Sequence, residues 1–242
     1  MKRIRGFTLI ELILTIVVVG IVALAASNTL QLGFQSYNDS IDRQDNQMQA
    51  KFVIEKLSRE LRHAVPNSVE VSENGNCVSF IPVEASAFYL ALPAFGQKHI
   101  DTVLLSNATF NLNGHRLVIN PSSQADLINE SNHRFVNIES MTQSGSVSTI
   151  NFPNALNNPA FISSSISERA FIYSPNPIEY CIQSDGVFRS GVQLANQVSS
   201  GDFTTQSASV NRNSIIKMTL IFENDLGETT QYQHDVQVIN VP

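Results

Sequence analysis

Few residues in this chain have the type and spacing to do chemistry, and the first is a carboxylate. Glu11 is the one charge in the twenty-residue run Phe7 to Ala26, FTLIELILTIVVVGIVALAA. An ionised side chain in such a run costs on the order of a few kcal/mol unless something cancels it, so it marks a site. Three cations, Lys2, Arg3 and Arg5, stand just before it, ahead of Gly6. Cys77 and Cys181 come next, each in a β-type run on the face opposite the larger apolar residues, Val78 and Phe80 in one, Tyr180 and Ile182 in the other. They read as a structural disulfide, with two free thiols as the alternative. A bridge closing a loop of about a hundred residues contributes roughly 4 to 5 kcal/mol in the loop-entropy picture. Two cysteines so far apart make neither a C-x-x-C redox pair nor a zinc set. The histidines, His63, His99, His115, His133 and His234, are scattered, and no H-E-x-x-H, G-x-S-x-G, phosphate-binding loop or G-x-G-x-x-G occurs. The expectation is a protein that is not an enzyme and uses no cofactor or metal. Asp225-Leu-Gly-Glu228 reads as a turn first and a calcium contact second.

The elements that position these residues follow from periodicity. About twenty apolar residues at 1.5 Å each cross a hydrocarbon core of about 30 Å, and the basic residues before them keep the N-terminus inside. From Ser27 to Ala64 there is no proline and one glycine, Gly33. Leu30, Phe34, Tyr37, Ile41, Met48, Phe52, Val53, Leu57, Leu61 and Ala64 recur mostly at spacings of three, four or seven, one face of a helix that packs on the chain's own sheet. Asp39 with Arg43, and Glu55 with Arg59, are acid-before-base pairs on the other face. Pro66 ends the helix near Val65.

Beyond Pro66 the period changes. Strand-type runs cover Cys77 to Val83, Ala87 to Leu92, Thr102 to Asn111, Arg116 to Asn120, Arg134 to Glu139, Val147 to Phe152, Arg169 to Tyr173, Ile178 to Gln183, Ile215 to Phe222 and Gln231 to Val238. Turn signals such as Asn113-Gly114 and Asp185-Gly186 separate them. Residues 153–168 and 190–214 are rich in Ser, Asn, Gln and Gly and read as long surface loops. The 242 residues carry a formal net charge of −6. Without residues 1–6, Lys+Arg falls from 15 to 12 against 21 Asp+Glu, or −9, which argues against a nucleic-acid partner. Abundant polar amides and hydroxyls, no Trp and two cysteines suit an extracytoplasmic bacterial β-rich domain.

Gly6-Phe7-Thr8-Leu9-Ile10-Glu11, behind a short basic leader and ahead of an amphipathic continuation, resembles the processing motif of type IV prepilins and type II secretion pseudopilins. The resemblance implies that a membrane prepilin peptidase cuts between Gly6 and Phe7, that the new N-terminus of Phe7 is methylated, and that Glu11 faces the α-amino group of a neighbouring subunit during assembly. Phe52-Val-Ile-Glu-Lys-Leu-Ser-Arg-Glu-Leu-Arg62, Arg169-Ala-Phe-Ile-Tyr173, Pro177-Ile-Glu-Tyr-Cys181 and the ending Val236 to Pro242 resemble the minor pilins of MSHA-type pili and the J-type pseudopilins. Many major pilins have a proline late in the apolar run and this chain has none, which favours a minor subunit. The implied fold is α+β and pilin-like, a long N-terminal α-helix packed on an antiparallel β-sheet head. Its parts are a leader, 1–6; a helix, 7–65, transmembrane over 7–26 and amphipathic over 27–65; and a β-rich periplasmic head, 66–242. The implied partners are the prepilin peptidase, other major and minor pilins through the helix, and the inner membrane before assembly. The implied location is the inner membrane, and the extracellular pilus after assembly.

Other readings stay open. Ala23-Leu24-Ala25 is an A-x-A-like signal peptidase site, which would release a secreted binding or adhesion protein. An uncleaved membrane anchor is another, and Thr8-x-x-Glu11 also fits a helix capping box.

Overall fold

The computed structural model describes residues 6–105, 112, 114–129, 135–154, 161, 164–206, 214–224 and 227–238; the side chain of Asn28 is also outside it. Lys2, Arg3, Arg5, the end of the run expected to reach Asn111, Asn113, His133, Arg134, Asp225 and residues 239–242 lie outside the described residues. The chain divides into two compact units, Met1–Met48 and Gln49–Pro242.

In the first unit the described secondary structure is the start of one helix, α1 (Leu9–Arg62). Its first amides, of Glu11 and Leu12, donate to the Thr8 carbonyl at 3.1 and 3.2 Å. Every large apolar side chain from Phe7 to Leu24 is 50–78% exposed. Fully burying one such side chain is worth roughly 1.5 to 3 kcal/mol, so this stretch is built for an apolar surrounding. It is long and apolar enough to cross a membrane.

In the second unit the last four turns of α1 are amphipathic. Ala50, Val53, Leu57 and Leu61, spaced three, four and four, are fully buried, while Phe52 is half exposed. The helix ends three residues before the expected Val65. The amides of His63 and Ala64 make tight i→i−3 bonds, and residues 63–65 then leave the helix to bond with the strand-like segment 81–83. Val65 donates to the Ile81 carbonyl at 2.8 Å and Val83 donates to the His63 carbonyl at 2.9 Å.

Among the described residues the strands form three antiparallel sheets. One has the order β1 (Glu70–Val71), β2 (Cys77–Phe80), β10 (Ile178–Gln183), β11 (Gly186–Arg189), β12 (Val192–Ala195). A second has β13 (Val198–Gln206), β14 (Ser214–Glu223), β15 (Thr229–Val238). Their inner faces, with Phe80, Tyr180, Phe203, Met218 and Phe222, share one core with the α1 stripe. The third sheet runs β6 (Phe135–Asn137), β5 (Arg116–Val118), β9 (Arg169–Tyr173), β3 (Ala85–Tyr89), β4 (His99–Leu104), β8 (Val147–Asn151), β7 (Ser140–Ser144). Its third strand, β9, is covered on both sides. Ala170 and Ile172 enter one core, and Phe171 and Tyr173 enter another with Val65, Ile81 and Leu127 of the short helix α2 (Ala125–Ile128). The Tyr173 hydroxyl donates to the Leu127 carbonyl at 2.9 Å.

The expectation of a loop over 190–214 is corrected, because β12 and β13 lie in it. β13 reads VSSGDFTTQ, with little alternation of apolar residues, and is held as a strand by the register Phe203↔Met218 to Gln206↔Ile215 against β14. A side chain at Gly201 would put a Cβ 2.4 Å from the Thr219 carbonyl oxygen, so only glycine lets these strands close here. Residues 155–160, 162–163 and 207–213 of the two expected loops lie outside the described residues.

Two fastenings join distant parts of this unit. Cys77 and Cys181 stand directly opposite each other in the β2–β10 ladder and form a disulfide, with Cα atoms 4.1 Å apart across a sequence separation of 104. On α1, Glu60 accepts from Arg189 Nε of β11 and the Tyr180 hydroxyl of β10, both at 3.0 Å, and meets Lys56 Nζ at 3.2 Å. Burial pushes the Glu60 carboxyl up, but the hydrogen bonds from Arg189, Tyr180 and Lys56 outweigh it and hold the carboxyl below its usual range. Burial, with Glu60 alongside, raises the Tyr180 hydroxyl well above its usual range.

The double change Cys77→Ser, Cys181→Ser is expected to lower stability by about 2 to 5 kcal/mol, read by denaturant unfolding of the purified protein. Glu60→Gln is expected to lower it by about 1 kcal/mol at neutral pH, since the cluster is partly solvated. A carboxyl lowered in the folded state stabilises fully above its unfolded value and loses that contribution as pH falls through the folded value. The gap between wild type and Glu60→Gln should therefore hold above pH 4.5 and close below it.

Candidate functional site

The candidate site is the start of the chain, from Gly6 into the first turns of α1. Residues 6–8 are not helical, and both Gly6 and Phe7 are exposed, Phe7 at 74%. A Cβ at Gly6 would meet nothing within 4 Å, so the glycine is not demanded by the chain's own packing. The Gly6–Phe7 peptide bond thus lies in an accessible, non-helical stretch where a second macromolecule can approach the backbone closely.

Glu11 sits in the first turn of α1, four residues after Phe7. Its backbone amide is satisfied by the Thr8 carbonyl, and the open amides of the helix start place partial positive charge nearby. Its carboxylate has no hydrogen-bond or ion-pair partner among the described residues. The Thr8 hydroxyl likewise makes no capping bond among them, so the capping-box pattern is not formed. The flanking side chains Ile10, Leu12, Leu14 and Thr15 are exposed as well, with Thr15 returning its hydroxyl to the Leu12 carbonyl at 2.8 Å. The result is an accessible peptide bond, a lone acid one helical turn on, and an apolar helix around it. If the bond after Gly6 is cut, the new α-amino group is a cation of the kind this acid lacks.

Cys77 and Cys181 belong to the head unit and are joined to each other. Glu179 places a carboxylate oxygen within 4.8 Å of both sulfurs, but disulfide sulfurs carry no charge to offer a metal. His115 Nε2 pairs with Glu84 while its buried Nδ1 has no partner among the described residues. His234 stands opposite Met218 in the β14–β15 ladder. Asn224 and Glu228 bond to each other, the Asn224 amide donating to the Glu228 carbonyl at 3.1 Å and the Asn224 side-chain oxygen accepting the Glu228 amide at 2.8 Å. Two shallow polar grooves, at Gln49, Gln193 and Asn196 and at Ser184, Gln197 and Asn224, are lined by no histidine, cysteine or lysine. Sequence reasoning missed the Glu60–Tyr180–Arg189 cluster and the Glu84–His115 pair, whose members are far apart in the chain and carry no local motif.

Residues 1–27 match the family model of the prokaryotic N-terminal methylation motif. No curated protein and no solved structure matches the chain. The match spans the leader, the Gly6–Phe7 junction, Glu11 and the apolar run, so the chain carries the N-terminal motif of type IV pilin-like proteins.

Proposed function

We propose that this chain is a minor pilin, non-enzymatic, that helps initiate or assemble an MSHA-type type IV pilus. The observation that carries this reading is the methylation motif over residues 1–27 with an unpartnered Glu11 one turn beyond an accessible Gly6–Phe7 bond. Beyond the motif, the reading leans on a resemblance of Phe52 to Arg62, Arg169 to Tyr173 and Pro177 to Cys181 to the MSHA biogenesis protein MshO. In this account the prepilin peptidase cuts after Gly6 and the Phe7 amine is methylated. Before the cut the apolar helix holds the chain in the inner membrane with its head in the periplasm. After it, the same helix packs among other major and minor pilins, and Glu11 accepts the charge of a neighbour's Phe7 ammonium. An isolated carboxylate in hydrocarbon is costly while a paired one is tolerable, so processing would license assembly.

Intact mass and N-terminal sequencing of the mature protein should begin at N-methylated Phe7; a start at Ala26 supports the secreted binding protein instead. Glu11→Ala should leave cleavage intact and reduce recovery with partner pilins by a factor of ten or more, about 1.4 kcal/mol per factor of ten. Normal assembly of that variant overturns the pairing. Deleting the gene should deplete surface pili in electron micrographs. Unchanged pili with a failed secretion assay point to the J-type pseudopilin.

A further inference from the structure

Sheet edges expose unpaired N–H and C=O groups, and natural edges are shortened, bent, charged or covered. Most edges here follow that rule. β1 has 2 residues, β6 has 3, β12 has 4 and sits beside a register shift, and β7 has 5. β13 is longer, but its Phe203 amide donates to the Gly75 carbonyl at 2.7 Å and it lies against β10 of the neighbouring sheet. β15 breaks the rule. It has 10 residues, Thr229–Val238, in unbroken register with β14 on one side. On the other side no backbone group of β15 has a partner among the described residues. It contains no proline, glycine or lysine, and Asp235 is its one carboxylate. Its outer face is Gln231, Gln233, Asp235 and Gln237, all exposed, and its inner face is Thr230, Tyr232, His234, Val236 and Val238.

Water solvates such an edge, but the protein segment that pairs with it is an extended strand, and the edge's own side chains set the register. We propose that β15 pairs antiparallel with β15 of a second copy of this chain, with Gln233 opposite the partner's Gln233. Directly opposed residues share a face, so this register keeps both apolar inner faces on one side and sets Tyr232 opposite the partner's His234. It sets Asp235 opposite the partner's Gln231, an amide that can donate to it. The two Asp235 carboxylates then stand four positions apart, about 13 Å at 3.3 Å per residue, beyond the screening length of about 8 Å in physiological salt. Centring the pairing on Asp235 would oppose the carboxylates directly, and centring it on His234 would halve their separation. The edge is short for an interface, so the pairing is a weak one that membrane confinement concentrates.

The test is oxidative cross-linking of the full-length chain in its own membranes, with the Cys77–Cys181 disulfide intact. Gln233→Cys is expected to give a dimer on a non-reducing gel, because directly opposed strand residues lie within disulfide reach. Chains carrying Gln231→Cys and Asp235→Cys are expected to cross-link when mixed, at least about tenfold more than either alone. Thr204→Cys, exposed on β13 of the same sheet, should give none. Gln233→Lys, tested in a pulldown between two differently tagged copies, should remove the association while leaving the unfolding midpoint unchanged. Equal cross-linking at Thr204→Cys, no dimer at Gln233→Cys in a chain that melts like wild type, or cross-linking at Gln233→Cys only to a different protein each overturns the proposal.

Discussion

An α-helix satisfies its own backbone hydrogen bonds, and this lets one element, α1, meet two environments. From Leu9 to about Ala26 its side chains are apolar all round and exposed. From Ala50 to Leu61 it has one buried stripe and a polar opposite face. The first part cannot be stable in water, since each exposed Leu, Ile or Val forgoes roughly 1.5 to 3 kcal/mol of burial. It is suited to lipid or to packing among other apolar helices. In either setting Glu11 is costly without a cation, and in the proposed function the Phe7 amine, freed by a cut one turn earlier, supplies it.

The head solves a different problem, that of holding strands together whose sequence neighbours are elsewhere. β2 pairs with β10 and β3 with β9, so early and late parts of the chain alternate within the sheets. Closing such long loops costs conformational entropy before the contacts repay it. The Cys77–Cys181 bridge removes part of that cost from the unfolded chain, at a point where the two residues already oppose each other. The Glu60 cluster does for helix and sheet what the bridge does for strand and strand. It directs one carboxylate toward a guanidinium, a phenol and an ammonium, so the last turn of α1 registers against β10 and β11. Its worth is bounded by partial solvation, whereas the apolar stripe beneath it supplies most of the adhesion.

Much of this was legible in the chain itself. Arg169 to Tyr173 and Ile178 to Gln183 are strands at the bounds their β-branched and aromatic content indicates. Cys77 and Cys181 lie on the half-exposed faces that the alternation with Val78, Phe80, Tyr180 and Ile182 indicates. The apolar stripe was legible only in part. Val53, Leu57, Leu61 and Ala64 are buried, but Leu30, Phe34, Tyr37, Ile41, Met48 and Phe52 are exposed, and Ala50, too small to draw notice, is fully buried. β13 was not legible, because Ser199, Ser200, Thr204 and Thr205 are polar and only Val198 and Phe203 enter the core. β1, β7, β11 and β12 are 2 to 5 residues long, too short for a period to register.

The sequence by itself determined the properties that depend on neighbours along the chain. These are the apolar run with its lone Glu11, the Gly6–Phe7 junction, the helical stripe and the alternating strands, all set by residues within a few positions of one another. The tertiary structure alone decided which strands are neighbours, that the described strands divide into three sheets, that Glu60 meets Tyr180 and Arg189, and that β15 has no second strand beside it among the described residues. Those outcomes depend on contacts between residues tens to more than a hundred positions apart. No local pattern encodes them, because each is chosen by the packing of the whole core.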